Sequence, residues 1–510
     1  MKQYYLGIEF GSTRVKAVLI DGEHRIVKSG DYTWKSSLEN GVWTYHMEDV
    51  QTGLRTAIRN LGELPGAVSA MGISGMMHGY LAFDKDWNLL APFRTWQNTM
   101  TGEAAEQLTA EFGFNIPQRW SIAHLYQAIL NGEAHVKNIA HITTLAGYVH
   151  YLLTGENVLG VGEASGMFPI DSEALDYDAA MLEKFDALIA KYGFAWTARS
   201  VLPKVLTAGQ AAGALTQAGS TFLDGLLSAG IPFCPPEGDA GTGMTATNAV
   251  ALRTGNVSAG TSIFAMVVLE KPLSKVYQEI DMVTTPSGKP VAMVHCNNCT
   301  NDMNAWVSLL GETAKLFGAE VSTGELFTKL YQKSLEGDAD CSGVLTYNYM
   351  AGEGITHLDE GRPMVVRKPE SSFTLANFLR SQLYATMSTL KLGMDILAEE
   401  HVAIDSLTGH GGLFKTPVVG QKYMAAACRA SVTCMESAGE GGPYGMALLA
   451  SYLVQKQDGQ TLEQYLETEI FADVKRTTLA PDPEDEAGFD RYLSWYRSAL
   501  AAENAAVKAF

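Results

Sequence analysis

The sequence predicts an α/β protein made of two related domains with a cleft between them. Three observations point there. Runs rich in β-branched and aromatic residues alternate with segments of helical spacing. A strand–turn–strand unit with glycine and hydroxyl residues in its turn occurs twice, at Gly11-Ser12-Thr13 and at Gly260-Thr261-Ser262. Between the two lies Gly238-Asp239-Ala240-Gly241-Thr242-Gly243, a single carboxylate among glycines near mid-chain.

Composition sets the outer limits. At 510 residues the chain has room for two to four domains. An apolar fraction of 46% and a charged fraction of 18% suit a folded protein with large cores. The net charge of −19 argues against a nucleic-acid or anionic-membrane partner, since both need a basic surface. It leaves room for a small phosphorylated ligand, which a few amides can hold. The six cysteines show no dense disulfide framework and the N-terminus no signal-like apolar stretch, so a cytoplasmic setting is expected. Cys296-Asn-Asn-Cys299 lacks the second pair that a zinc site needs. No apolar run reaches the ~18 residues that cross a bilayer.

In chain order, residues 4–9 and 15–20 read as paired strands around Phe10-Gly11-Ser12-Thr13-Arg14. Such a turn offers amides and hydroxyls to a phosphate or a metal-bound water, and Glu9 places an acid at the same end. Residues 47–62 have helical spacing through Val50, Leu54, Ile58 and Leu61. AVSAMGISG reads as a buried strand followed by Met76-Met77-His78-Gly79, and a later loop carries Trp96-Gln97-Asn98. Polar side chains at strand ends of an α/β domain line ligand crevices, so Met77, His78, Trp96 and Asn98 are candidates. Residues 102–112, 121–131 and 145–153 are helical by periodicity. GVGEASGMFPID reads as a Gly/Ser-rich loop, and GDAGTG as a turn after two prolines.

The second half repeats the pattern. NVSAG, the Gly-Thr-Ser turn and IFAMVVLE give the second strand pair, and PVAMVH another strand. Helices follow at 301–310, 324–334 and 373–399. Residues 403–408 form a strand leading into Gly409-His410-Gly411-Gly412, a turn expected to open a helix. Gly439 to Gly445 opens a further helix, and the acidic PDPEDE reads as a solvated loop before a terminal helix. Two phosphate-competent turns on related α/β domains imply one shared nucleotide.

In order and spacing, these pieces resemble the FGGY family of carbohydrate kinases, in the actin/hexokinase superfamily, over roughly residues 4–455. LGIEFGSTRVKAVLID looks like the first phosphate motif, GDAGTG like the catalytic loop and SAGTSIF like the second phosphate motif. ISGMMHG and TWQNTMT look like the sugar-proximal segments of xylulokinase-type members, and GHGG with EGGPYGMALLA like the adenosine region.

The resemblance implies an α/β fold of two actin/hexokinase-like (ribonuclease H-like) domains: an N-terminal domain over 1–250, a nucleotide-binding one over 251–480, and a helical tail over 481–510. It implies that ATP phosphorylates a ketose hydroxyl, most simply on a pentulose such as D-xylulose, with Asp239 as general base. Gly11, Ser12, Thr13, Lys16, Gly260, Thr261 and Ser262 would hold phosphates, and Gly409, Gly411 and Gly412 would approach the adenosine. Met77, His78, Trp96, Asn98 and Asp239 would meet the sugar. Glu9 and Asp239 would serve Mg²⁺, directly or through water. A homodimer is the default assembly. Open alternatives are an L-ribulokinase, another ketose or polyol kinase, and a weakly catalytic regulatory relative. Glu9 stands where the family has Asp, and Trp96-Gln97-Asn98-Thr99-Met100 lacks the charged residues of the xylulokinase pattern.

Overall fold

The computed structural model describes residues 3–435 and 441–509. The chain forms two compact units, and the division is not a single cut. One comprises Met1–Leu252, Lys271–Val291 and Glu440–Asp473; the other Arg253–Glu270, Ala292–Gly439 and Val474–Phe510.

The first unit is built on a sheet whose strands lie in the order Glu237–Gly238, Val68–Gly75, Tyr4–Phe10, Arg14–Asp21, Ile26–Thr33. Tyr4–Phe10 pairs antiparallel with Arg14–Asp21 and parallel with Val68–Gly75. Six of its seven residues are buried, which explains a near-continuous apolar run in place of alternation. Val50, Leu54, Ala57 and Ile58 of the helix Met47–Arg59 join the core on this sheet. The helix Gly442–Gln455 packs against the first strand so closely that a Cβ on Gly7 would lie 2.0 Å from the Pro443 carbonyl oxygen.

The sheet of the second unit includes, in order, Pro290–Cys296, Ile263–Val268, Thr254–Ala259, Ser406–His410, Ser431–Met435 and Arg476–Leu479. Thr254–Ala259 is antiparallel to Ile263–Val268 and parallel to Ser406–His410. The two units thus share one plan: a central hairpin, a third strand on one side, parallel strands on the other. The long helix Leu375–Glu399 belongs to this unit, as does the terminal helix Pro483–Ala509.

Three local expectations change. PDPEDE is not a solvated loop: the terminal helix begins at Pro483 with Glu484, Asp485 and Glu486 in its first turn. Proline and acids both suit a helix start, and Asp485 is buried in ion pairs with Arg380 and Lys422. The stretch read as a Gly/Ser-rich loop holds the short helix Val161–Ala164 and is buried throughout residues 158–169. The glycine turn at Gly409–Gly412 does not open a helix directly. A 3-10 turn, Gly412–Phe414, intervenes, and Val419–Cys428 is the next helix.

Candidate active site

Asp239 is not in a turn but is the first residue of the helix Asp239–Ala246, with Gly238 as its N-cap. Of the glycines that argue for a turn, Gly238 makes room for contact, since a Cβ on it would lie 2.1 Å from Met77 Cγ, while one on Gly243 would meet nothing within 4 Å; the helix Gly442–Gln455 comes close through its own Gly445, whose Cβ would sit 2.0 Å from the Thr242 carbonyl oxygen. Asp239 is exposed. Its Oδ1 accepts the amide N–H of Met77 (3.3 Å) and of Ala240 (3.0 Å). Surrounding protein pushes its carboxyl above the ordinary value, against the pull of those amides and of the Arg119 charge.

Glu9 stands near the end of the first strand, directly across from Lys16. Cross-strand neighbours share a face, so the ammonium stabilises the carboxylate. Burial and the negative charge of Asp239 outweigh it and push Glu9 up to about 8. Glu9 Oε2 is buried without a hydrogen-bond partner among the described residues and lies where a Cβ on Gly442 would be, 1.5 Å away.

The turn after Glu9 presents its amides by a specific device. The Gly11 carbonyl accepts the Trp34 indole N–H (2.7 Å), the Ser12 carbonyl the Tyr45 hydroxyl (2.7 Å), and the Thr13 carbonyl the Trp34 amide (3.1 Å). In a trans peptide the next N–H points the opposite way, so the amides of Ser12 and Thr13 turn away from these aromatic residues. Both residues are exposed. The second unit repeats the device. The Gly260 carbonyl accepts from the Thr300 amide (3.2 Å) and hydroxyl (2.7 Å), and the Thr261 carbonyl from the Cys299 amide (3.1 Å). The amides of Thr261 and Ser262 are aimed outward in the same way.

The residues expected to meet a sugar divide. Met77 and His78 are buried after the strand Val68–Gly75, with His78 at φ 69°. His78 Nδ1 lies 3.0 Å from the Gly166 carbonyl, which only accepts, so Nδ1 carries the proton. Its ring stacks on Trp120. Trp96 is 40% exposed. Asn98 is buried and its amide is engaged locally: Oδ1 accepts from Trp43 N (2.8 Å), while Nδ2 donates to the carbonyls of Trp43 (2.9 Å) and Thr95 (3.0 Å). That pairing fixes the loop and sets Asn98 apart from Met77 and His78 as a ligand group.

In the second unit Gly411 has φ 98°, and a Cβ there would lie 2.4 Å from the Ala259 carbonyl oxygen, at the end of the strand leading to the Gly260-Thr261-Ser262 turn. Gly409 makes room for the Phe414 ring, with 2.5 Å between its Cβ position and a ring carbon. Around Gly412 the space is open, its nearest neighbour being 3.9 Å away.

Sequence reasoning missed two acids. Glu163 and Glu237 are buried beside Gly238, with no cation paired to either among the described residues. Burial raises both carboxyls, Glu237 to about 8 and Glu163 well above its usual range. The signal was a Glu inside an apolar, glycine-rich run, since Glu is almost never fully buried without a role. These raised values set a pH dependence. The folded state keeps the protons of Glu9 and Glu237 longer than the unfolded chain does. The stability they carry is complete below about 4.3 and is lost as pH rises through about 8. The thermal midpoint of the free protein should therefore fall from pH 6.5 to 8.5, more gently in Glu9→Gln and Glu237→Gln. A midpoint that rises over this range would contradict the assignment.

In the first unit a carboxylate lies beside Met77 and His78, and each unit carries an amide-presenting turn, parts of the kind that a phosphoryl-transfer enzyme uses. Residues 4–245 match the N-terminal domain and residues 255–454 the C-terminal domain of the FGGY family of carbohydrate kinases, and the chain belongs to that family. It is 22% identical to a xylulose kinase of Haemophilus influenzae over 513 residues, covering 96% of this chain and 99% of that protein. To a glycerol kinase of Thermococcus kodakarensis it is 27% identical over 291 residues, spanning about half of each, 53% of this chain and 54% of the other. The crystal structure of a xyloylose kinase from Brucella ovis shares the fold, with a TM-score of 0.78, 20% identity, and coverage of 98% of this chain and 99% of that one.

Proposed function

We propose that the protein transfers the γ-phosphoryl group of ATP to a hydroxyl of a ketose, best a pentulose of the D-xylulose kind, with Asp239 as general base. The observation that carries this is Asp239 itself: water-accessible, pushed up by its surroundings, and hydrogen-bonded to the amide of Met77, next to His78. A base whose pKa is raised toward the working pH is the more effective one. The sugar oxygen attacks the γ-phosphorus, its proton passes to Asp239, and the bond to ADP breaks. Exposure of Asp239 lets the proton leave to water. In each unit the outward amides, of Ser12 and Thr13 in the first and of Thr261 and Ser262 in the second, would donate hydrogen bonds to phosphate oxygens, the kind of charge stabilisation such a transfer requires.

Among the described residues no group of three or more His, Cys, Asp or Glu could hold a metal ion. That fits Mg²⁺, which keeps several waters and leans on one or two carboxylates and the phosphates. Glu9, with its unpartnered Oε2, and Asp239 would hold it, and it would supply charge neutralisation on the phosphate oxygens. The six cysteines are free, which supports a reducing, cytoplasmic setting, and no helix among the described residues is long and apolar enough to cross a membrane. A homodimer is the assembly we propose.

Two relatives' names, xylulose kinase and glycerol kinase, define the test. ADP release coupled to an optical readout should be stimulated most by a pentulose in a panel that includes D-xylulose, L-ribulose, hexuloses, glycerol and longer polyols. Turnover with glycerol or a hexulose and none with any pentulose would sink the pentulose reading.

A further inference from the structure

The helix Val161–Ala164 starts at Gly160, a residue with no side chain to cap it. The cap comes from elsewhere. Glu237 Oε2 accepts the amide N–H of Glu163, the third helical residue, at 2.9 Å, and the Gly162 amide bears on the same carboxylate. These are the amides that an N-cap side chain satisfies. Glu237 occupies the space such a side chain would fill: a Cβ on Gly160 would lie 2.1 Å from Glu237 Oε1, and one on Gly162 2.5 Å from Glu237 Oε2. The Gly160 amide also donates to the Pro236 carbonyl, at 2.8 Å. Glu237 sits two residues before Asp239, in the strand that pairs with Val68–Gly75.

What the cap holds is the floor under Met77 and His78. From the helix, Glu163 reaches Gly238: a Cβ there would meet Glu163 Oε2 at 2.4 Å and Met77 Cγ at 2.1 Å. Just past the helix, Gly166 accepts from His78 Nδ1, and a Cβ on Gly166 would lie 2.7 Å from that nitrogen and 2.8 Å from Met77 Cε. Residues 158–169 are buried, so this segment cannot yield without moving its neighbours.

We infer that Glu237 is the N-cap of Val161–Ala164 in place of Gly160, and through that helix the positioning residue for the Met77–His78 side of the site. One carboxylate registers two things against each other: the strand that delivers Asp239 and the segment that fixes His78. The kinetic side of this rests on the sugar-kinase reading above; the cap itself does not.

The test moves the cap from one residue to another. Glu237→Ala should raise the sugar KM about tenfold and leave the ATP KM within about twofold, the split expected when one substrate's contacts are displaced. Gly160 has φ −64° and ψ 148°, the conformation an N-cap serine takes, and the carboxylate that blocks it is absent in Glu237→Ala. Adding Gly160→Ser to Glu237→Ala should therefore recover most of the sugar KM, whereas Gly160→Ser alone should harm it. Glu237→Gln, which keeps one acceptor oxygen, should stay close to the parent enzyme. An unchanged sugar KM in Glu237→Ala, or no recovery in the double variant, overturns the inference. Should Glu237→Ala fail to fold, recovery of a folded enzyme by Gly160→Ser supports the cap and failure to recover overturns it. Amide hydrogen exchange at Gly162 and Glu163 in the free protein gives the independent reading. It should quicken in Glu237→Ala and slow again in the double variant, whichever sugar is the substrate; unaltered exchange overturns the cap. A panel with no turnover at all would sink the kinase reading while leaving the exchange result to decide this one.

Discussion

Asp239→Asn should lower kcat by ~10²–10⁴ and leave the KM for ATP near its parent value, the range a positioned general base contributes. The substitution suits the question because it is structurally quiet. The carboxamide keeps an oxygen for the amides of Met77 and Ala240, which hold Oδ1 in the parent, so the start of the helix Asp239–Ala246 is preserved. What disappears is the ability to take a proton. The acid limb of the parent's pH profile should vanish with it, since the surrounding protein lifts that carboxyl above its ordinary value and makes its protonation the event that switches the enzyme off at low pH. Loss of the charge also removes one of the causes that push Glu9 up. Steady-state kinetics with the best ketose of the panel measures this. Turnover within about threefold of the parent would remove Asp239 from the chemistry.

The hairpin Tyr4–Phe10 and Arg14–Asp21 and its counterpart were legible because their composition suits a buried strand pair and the short Gly-hydroxyl run between them suits a turn. The groups that pin those turns were not. Trp34, Tyr45, Cys299 and Thr300 lie far along the chain, and no local pattern says which carbonyl they take. Helical spacing located Gly102–Phe112, Ser121–Leu130 and Leu375–Glu399 to within a residue or two. Where glycine carried the reading it misled. In Asp239–Ala246 and Val161–Ala164 the glycines look like breakers, yet Gly241 packs on Pro286, with 3.3 Å between its Cβ position and a ring carbon, and Gly162, like Gly160 just before it, gives room to the Glu237 carboxylate. Tertiary contact overrode propensity in both places. The Asn98 amide shows the converse: a polar residue in the right loop, spent on fixing the loop. The opening of the helix from Gly442 lies partly beyond reach, because Gly439 and Glu440 fall outside the described residues.

Gly442→Ala should be damaging, and the longer acid at position 9 is the reason. A Cβ there would lie 1.5 Å from Glu9 Oε2 and 2.6 Å from Glu9 Cδ, with Thr242 Oγ1 at 3.0 Å on another side. The carboxylate is buried, so moving it aside means moving its neighbours as well. Overpacking of this kind costs about 1–3 kcal/mol, and here it displaces a group we assign to the metal side of the site. Both the thermal midpoint and kcat/KM should therefore fall. Gly243→Ala is the contrast: on the Asp239 helix its Cβ would meet nothing within 4 Å, so it should stabilise by about 0.4–1 kcal/mol. The decisive variant combines Gly442→Ala with Glu9→Asp. Shortening the acid by one methylene withdraws it from the new methyl group and restores the carboxylate that the family carries at this place. The double variant should regain most of the lost stability and more activity than Gly442→Ala alone. If the two defects simply add, Glu9 is not what the methyl group strikes, and the seat of its carboxylate against Gly442 is not what shapes the site.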